Sequence, residues 1–95
     1  MAERHIQKKC IEFCKDNNIL ALNIHGGGWS NKGLPDLLVF AKSKCVAIEL
    51  KDENKYHITQ AQQIWQKRFK KAGICAYVAH SYEEFTNLLE KENLL

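Results

Sequence analysis

Three charged side chains of this 95-residue chain are spaced so that they can act together. Asp36 opens the apolar run Asp36–Ala41, and Glu49 and Lys51 stand two residues apart in a second apolar run, Cys45–Lys51. Strand alternation puts Glu49 and Lys51 on the same face of a sheet. Charges on an otherwise hydrophobic strand are costly unless they are paired or bind an ion. These positions are therefore candidates for a functional site.

The chemistry of this set depends on whether a hairpin brings Asp36 beside Glu49. Two adjacent carboxylates repel one another, and a divalent cation such as Mg2+, which suits oxygen ligands and keeps several waters, relieves the repulsion. Lys51 beside them can position a water or stabilise charge on a phosphoryl group. The set then predicts metal-assisted hydrolysis of a phosphodiester. Spacing alone also allows an ordinary Glu49–Lys51 salt bridge at a strand end, with Asp36 as a turn residue after Pro35.

Hydrophobic periodicity predicts seven elements in the order α-β-β-β-α-β-α. Two strands separated by a short turn favour an antiparallel hairpin, which is apolar on both faces and hence central. The helix that follows is a crossover, so the strands it joins are expected to be parallel. The fold class is α/β, a small mixed sheet flanked by helices. The predicted bounds are a helix from Glu3 to about Asp16, strands at Ile19–Ile24, Asp36–Ala41, Cys45–Lys51 and Ile74–Ala79, a helix capped by Thr59 and running to about Ala72, and a last helix capped by Ser81.

The crossover helix combines an apolar stripe with a basic cluster. Ile64, Trp65 and Phe69 recur at helical spacing and predict its packed side, with Gly73 placed to end the helix. Its wetter side carries the basic residues Lys67, Lys70 and Lys71. Such a cluster is typical of a solvated helix face, and it also permits contact with nucleic acid phosphates.

Composition sets the outer bounds of the interpretation. The mass of 11.0 kDa allows one domain, and 45% hydrophobic and 26% charged residues are an ordinary globular balance. The formal net charge of +3 and the pI near 8.7 permit a nucleic acid partner without demonstrating one. We find no apolar stretch that could span a bilayer and no signal-peptide pattern behind the charged N-terminus, so we expect a cytosolic protein without membrane contact.

Other chemistry-bearing residues point to no second site. Cys10 and Cys14 would share a helix face, but no second Cys or His pair completes a zinc site, and reduced, buried thiols are expected. The run Gly26–Gly28 lacks the pattern of a nucleotide-binding loop. His25 and His57 flank the candidate site in sequence, and a general-base role for them is not favoured.

Several short motifs, taken in order, resemble one nuclease family. They are the run Gly33-Leu34-Pro35-Asp36, the triplet Glu49-Leu50-Lys51, the segment Thr59-Gln60-Ala61-Gln62 followed by Trp65, and the acidic Glu3 on the first helix. Their order and spacing resemble the VRR-NUC (virus-type replication-repair nuclease) branch of the PD-(D/E)XK superfamily, which has a restriction-endonuclease-like core. The resemblance spans Glu3 to about Leu89, and Gln60 departs from it because members often carry proline there.

The resemblance implies a role for each matching residue. Asp36 and Glu49 would ligate Mg2+ or Mn2+, with the backbone carbonyl of Leu50 as a further ligand. Lys51 would contact the attacking water or the scissile phosphate. Gln62 would help to orient the catalytic group or the DNA, and Glu3 would reach the metal shell, directly or through water.

The resemblance also implies substrate and assembly. Residues 1–95 would form a single nuclease domain of the stand-alone viral or bacterial type, a homodimer acting on branched DNA such as four-way (Holliday) junctions in a bacterial or phage-infected cell. Lys67, Lys70, Lys71 and Trp29 would contact DNA, although Trp29 equally suits a dimer contact or a loop anchor. The alternatives are a non-catalytic DNA-binding or assembly module on the same fold and a small regulatory dimer without a nucleic acid role.

Overall fold

The computed structural model describes residues 3–24, 33–52, 54 and 57–95. The predicted fold class is confirmed, since the elements follow the predicted order and their bounds lie close to the predicted ones. They are α1 (Glu3–Asp16), β1 (Leu20–Asn23), β2 (Leu37–Ala41), β3 (Lys44–Leu50), α2 (Gln60–Lys71), β4 (Cys75–Ala79) and α3 (Tyr82–Lys91). The main differences are that Asp36 lies just before β2, whereas we expected it to open the strand, and that Lys51 lies just after β3.

The four strands form one mixed sheet in the order β1-β2-β3-β4. β1 pairs with β2 and β2 with β3 in antiparallel fashion, whereas β3 and β4 are parallel. The expected hairpin and the expected parallel crossover are both confirmed. The two apolar strands that flank the candidate site, β2 and β3, are the central ones.

A two-residue turn sets the register of the central hairpin. Lys42 and Ser43 both have positive φ, 51° and 65°, as in the primed turns that match the twist of paired strands. The turn makes Ala41 and Lys44 partners. Because side chains alternate along a strand, this register decides which residues of β2 and β3 share a face.

One face of the sheet carries the hydrophobic core, which α1 and α3 cover. Its buried members from the strands are Leu37, Val39, Val46, Ile48, Leu50 and Ala79; those from the helices include Ile6, Cys10, Cys14, Phe85 and Leu89. Removing such side chains from water stabilises the fold by roughly 1.5–3 kcal/mol each. This face anchors the strands that carry the candidate site.

The opposite face is covered in part by α2. Ala47, Glu49 and Ala76 are buried there, but α2 itself contributes no buried residue and Ile64 is 50% exposed. The apolar stripe predicted to form the packed side of this helix is therefore less buried than expected. The physical reason is that α2 makes its main strand contacts with β4 at one edge of the sheet.

The cysteines are free, as expected. Cys10 and Cys14 are buried on α1, and burial raises the pKa of Cys10 to about 12 and that of Cys14 to about 11. Cys75 is exposed and Cys45 half-buried. Within the described part of the chain, no helix combines the length and apolar character needed to cross a bilayer.

Candidate active site

The hairpin register aligns Asp36 with Glu49. The pairing of β2 and β3 reaches Leu37 and Ile48, and one further step along both strands sets Asp36 opposite Glu49. The carbonyl of Asp36 accepts a hydrogen bond from the N–H of Ile24 at 3.0 Å, so the ladder with β1 continues through this residue. Opposite side chains on antiparallel strands share a face. Asp36 and Glu49 are therefore directed to the same face of the sheet.

The carboxylate of Asp36 turns toward β3. Its Oδ2 accepts a hydrogen bond from the N–H of Leu50 at 2.7 Å, the short distance of a charge-assisted bond. Leu50 follows Glu49 directly, so the Asp36 carboxylate lies against the peptide that joins those two residues. The structure thus brings together the two acidic residues that the sequence singled out.

Among the described residues, Glu49 is the one buried charged side chain, with an exposure of 5%. Its chain neighbours Ile48 and Leu50 belong to the core on the other face. Glu49 Oε1 accepts a hydrogen bond from Gln62 Nε2 at 3.1 Å. Burial and this hydrogen bond fix the position of the Glu49 carboxylate.

The first turn of α2 places Gln62 over the sheet. Thr59 is the N-cap, and its Oγ1 accepts from the N–H of Gln62 at 3.1 Å. In return the N–H of Thr59 donates to Gln62 Oε1 at 3.0 Å, which completes a capping box. One glutamine thus caps the helix and binds the buried glutamate.

Lys51 follows Glu49 on the same side of the sheet. Its N–H donates to the carbonyl of Ala79 at 2.9 Å, which carries the parallel ladder with β4 one step beyond β3. The side chain is half-buried. Strand alternation therefore places the Lys51 side chain on the face that carries Glu49, at the same end of β3.

The oxygen-rich donor set fits a hard divalent cation. Two acidic residues, one of them buried, stand opposite each other at the end of the central strands, and such cations prefer oxygen ligands. Among the described residues, no three His, Cys, Asp or Glu side chains converge into a metal-binding group. The side chain of Glu3, the third predicted acid, lies outside what the structure describes, although Glu3 is the first residue of α1.

Comparison with known proteins finds similar solved structures. No protein-family model and no curated protein matches the chain. A structure described as "VRR_NUC domain" is 28% identical, covers 93% of this chain and 94% of its own, and superposes with a TM-score of 0.76. The chain folds as a VRR-NUC domain. A second structure, described as "VRR_NUC domain protein", has the same TM-score at 20% identity and covers 96% of this chain and 87% of its own.

The VRR-NUC fold sets the predicted DNA-contacting lysines apart from the acidic pair. Lys67, Lys70 and Lys71 are exposed toward the C-terminal end of α2, about 8–14 Å along the helix axis from Gln62 at about 1.5 Å per residue. Arg68, next to them, lies over the Trp65 ring at 4.7 Å. The acidic pair and the lysines thus lie toward opposite ends of one helix. Trp29 and His25 fall outside the described residues.

Gly33 has a role in this fold that the sequence did not predict. Its φ is +88°, and a Cβ there would lie 2.4 Å from the carbonyl carbon of Ala61 and 2.7 Å from the backbone N of Gln62. No side chain fits in that space. The sequence contained one signal, a glycine three residues before Asp36, but nothing in it indicated contact with α2.

Proposed function

We propose that this chain is a metal-dependent endonuclease that hydrolyses phosphodiester bonds in DNA. The observation that carries the proposal is the meeting of two acidic residues: Asp36 Oδ2 lies 2.7 Å from the N–H of Leu50, the residue after the buried Glu49. The two VRR-NUC structures support a nuclease domain on this fold. An acidic pair with one member buried, beside a lysine, is a reason to expect chemistry rather than binding alone.

The proposed cofactor is Mg2+ or Mn2+, held by Asp36, Glu49 and the backbone carbonyl of Leu50. In an extended strand the N–H and C=O of one residue point to the same neighbour, so the Leu50 carbonyl is expected on the side where Asp36 lies. Glu3 is proposed as a further ligand, directly or through water. A bound cation would polarise the scissile phosphate and lower the pKa of water.

Lys51 and Gln62 are proposed to complete the reaction site. The Lys51 ammonium would contact the attacking water or the scissile phosphate, where its charge stabilises the negative charge that builds up on the phosphoryl oxygens. Gln62 would orient Glu49 through the hydrogen bond from Nε2 to Oε1, 3.1 Å long. Fixing one carboxylate oxygen restricts the rotation of the group and directs its other oxygen.

DNA is the proposed substrate, and α2 the helix along which its backbone would lie. Lys67, Lys70 and Lys71 are exposed on this helix and can neutralise phosphates. Trp29 is proposed as a further contact, on a base or at a junction. The phosphate contacts would make affinity fall steeply with salt.

We propose that two copies act together on branched DNA such as four-way (Holliday) junctions. Junction arms have two-fold symmetry, and paired incisions by units with one site each need two copies, most simply related by C2 symmetry. Leu20 and Leu22 of β1 are 57% and 44% exposed, and they pair with Phe40 and Leu38 on one face of the sheet. A second copy could cover this apolar strip.

Light scattering at micromolar concentration tests the dimer. We expect twice the monomer mass for the wild type and a shift toward monomer for Leu22→Lys, whose charge would have to be buried at the interface. A wild type that stays monomeric would contradict the paired-incision proposal and leave a nicking enzyme.

The cellular setting is proposed from the thiols. All four cysteines are free, as is usual in a reducing compartment. We place the activity in the cytoplasm of a bacterial or phage-infected cell, and propose that residues 1–95 act as one nuclease domain.

A cleavage assay tests the proposed function. A four-way junction and a linear duplex of matched sequence are incubated with the protein and Mg2+ or Mn2+, or with EDTA. We expect cleavage that needs the metal, favours the junction, and is lost in Glu49→Ala and Lys51→Ala. Glu90→Ala, an exposed change on α3, is the control and should cleave as the wild type does.

Three outcomes would overturn the assignment. Cleavage that persists in both site variants would come from elsewhere, including a contaminating nuclease. Junction binding without any metal-dependent cut would indicate the alternative, a DNA-binding or assembly module on the same fold. Unchanged DNA mobility in a low-salt gel shift would instead favour a regulatory dimer.

A further inference from the structure

The cap of α2 and the buried glutamate are joined through a single carboxamide. Gln62 Oε1 accepts from the N–H of Thr59 at 3.0 Å, and Gln62 Nε2 donates to Glu49 Oε1 at 3.1 Å. The backbone N–H of Gln62 in turn donates to Thr59 Oγ1 at 3.1 Å. One hydrogen bond therefore links the start of α2 to the sheet, and two more, between the N-cap Thr59 and Gln62, hold the residue that makes it.

This link fixes which end of the carboxamide meets Glu49. A glutamine amide has one end that accepts hydrogen bonds and one that donates them. The N–H of Thr59 can only donate, so it requires Oε1 on its side and leaves Nε2 facing the glutamate. A flipped amide would set two donors against each other at Thr59 and two acceptors against each other at Glu49. The cap thus selects the orientation in which Gln62 binds a carboxylate.

A second contact holds the same turn from the strand side. A Cβ on Gly33 would lie 2.4 Å and 2.5 Å from the carbonyl carbon and oxygen of Ala61 and 2.7 Å from the backbone N of Gln62. These are backbone atoms of the capped turn, which cannot move aside as a flexible side chain can. The absence of a side chain at position 33 therefore sets how closely the segment leading into Asp36 approaches α2.

We propose that Thr59 and Gly33 are positioning residues for the cation site, acting through Gln62 on Glu49. Thr59 holds the carboxamide in its donating orientation, and Gly33 holds the turn at the distance at which the amide reaches the carboxylate. The proposal rests on the proposed function, since it assumes that Asp36 and Glu49 bind a divalent cation. Neither residue contacts the reacting atoms.

The first test measures Mn2+ affinity of the full chain by isothermal titration calorimetry, without DNA. Thr59→Ala keeps the backbone N–H that orients the amide but removes the hydroxyl that holds the capped turn, and we expect Mn2+ binding to weaken by about tenfold, the scale of losing an outer contact of a metal site. Thr59→Ser restores the hydroxyl and should restore the affinity. Ser81→Ala is the matched control, because the Ser81 hydroxyl caps α3 in the same way. It accepts a hydrogen bond, 3.0 Å long, from the N–H of Glu84, and α3 covers the other face of the sheet.

The second test separates the close approach of Gly33 from its backbone conformation. Gly73 has the same φ of +88°, but nothing lies within 4 Å of where its Cβ would be. Gly33→Ala and Gly73→Ala therefore carry the same conformational strain, and Gly33→Ala alone carries the clash. We expect weaker Mn2+ binding in Gly33→Ala and wild-type affinity in Gly73→Ala. If Gly33→Ala does not fold, the Thr59 series still decides the proposal.

The outcomes distinguish this inference from the proposed function. If Glu49→Ala abolishes Mn2+ binding while Thr59→Ala leaves it unchanged, or changes it no more than Ser81→Ala does, the positioning role is wrong and the metal site stands. If Glu49→Ala leaves Mn2+ binding intact, the proposed site itself is wrong. Weaker binding in Thr59→Ala, recovered in Thr59→Ser and absent in Ser81→Ala, supports the positioning role.

Discussion

The two faces of the central strands differ in what covers them and in what they carry. On one face, apolar side chains of β2 and β3 are buried beneath α1 and α3, where Phe85 and Leu89 are fully enclosed. On the other face, Glu49 is buried beside Ala47, under a helix that contributes no buried residue of its own. Successive residues of β3 alternate between these environments.

This difference separates stability from chemistry within a single strand. The packed face supplies the hydrophobic stabilisation and holds β2 and β3 in register. The face under α2 gives up apolar burial to hold a charged group in a fixed position, which is costly unless that group is bonded or bears a function. Substitutions on the two faces should therefore change different measured quantities.

The largest expected effect is on the packed face. Phe85→Ala should lower the free energy of unfolding by about 3–5 kcal/mol, since it removes a fully buried ring and leaves a cavity. Urea denaturation followed by circular dichroism measures this, with Phe85→Leu, which keeps part of the apolar volume, as the milder comparison. A loss as small as that from an exposed residue would mean that α3 does not anchor the sheet.

The next effect should appear in activity and leave stability almost unchanged. Glu49→Gln keeps the shape of the side chain and an oxygen that can accept from Gln62 Nε2, but removes the charge that the proposed cation needs. We expect cleavage to fall by about 10²–10³-fold, the scale of losing one electrostatic contact in a transition state. Single-turnover cleavage and thermal denaturation are measured on the same preparation, with Glu90→Gln as the exposed control.

Two other results would remove the distinction between the faces. If Glu49→Gln unfolds the protein, the glutamate is a structural group. If it cleaves as the wild type does, the carboxylate is not a ligand.

The predictable part of the fold is the part set by local pattern. Ile6, Cys10 and Cys14 repeat with helical spacing, and the structure buries all three against the sheet. Thr59 and Ser81 were predicted as helix caps, and each accepts from the backbone N–H three residues later. These features depend on neighbours in sequence, so one sequence suffices to find them.

The features that sequence analysis missed depend on contacts between distant segments. The register that sets Asp36 against Glu49 was expected only as a consequence of the hairpin, whereas the approach of Gly33 to Ala61 was not expected at all. Ile64 has the spacing of a buried residue and is half exposed, because spacing gives the direction of a side chain and not what lies opposite it. The roles of Lys51 and Gln62 in chemistry stay predictions.

A smaller effect tests the packed face through pH. Burial raises the pKa of Cys10 to about 12 and that of Cys14 to about 11, from 9.0 for an unburied thiol. The unfolded chain therefore releases these protons at lower pH than the folded chain does. The contribution of the two protonated thiols to folding stability is complete below pH 9 and is lost as the pH rises toward 11 and 12. For each thiol the folding equilibrium should weaken by up to about tenfold per pH unit.

Urea denaturation between pH 8 and about 10 checks this. The double change Cys10→Ala and Cys14→Ala should flatten the dependence, whereas Cys75→Ala, at an exposed thiol, should leave it in place. The range is limited because the hydrogen bond to Glu92 raises the pKa of Tyr77 from 10.0 to about 12, which adds its own slope at higher pH. An equal slope in the double variant would show that the two thiols are not responsible.

The smallest effects concern the outer surface of α2. Lys67, Lys70 and Lys71 are exposed there, so replacing one of them by alanine should change stability by no more than about 0.5 kcal/mol. If DNA lies along this helix, each replacement should lower the slope of log affinity against log salt by about one phosphate contact.

Lys91→Ala is the control, since this lysine lies on α3, 5.8 Å from the Tyr77 ring. Fluorescence anisotropy at several salt concentrations measures the slopes. Each lysine is replaced in the Glu49→Gln variant, which is expected to cleave only weakly, so that the DNA is not cut during the measurement. Equal slopes for α2 and α3 variants would place the DNA elsewhere and leave the lysines as a solvated face.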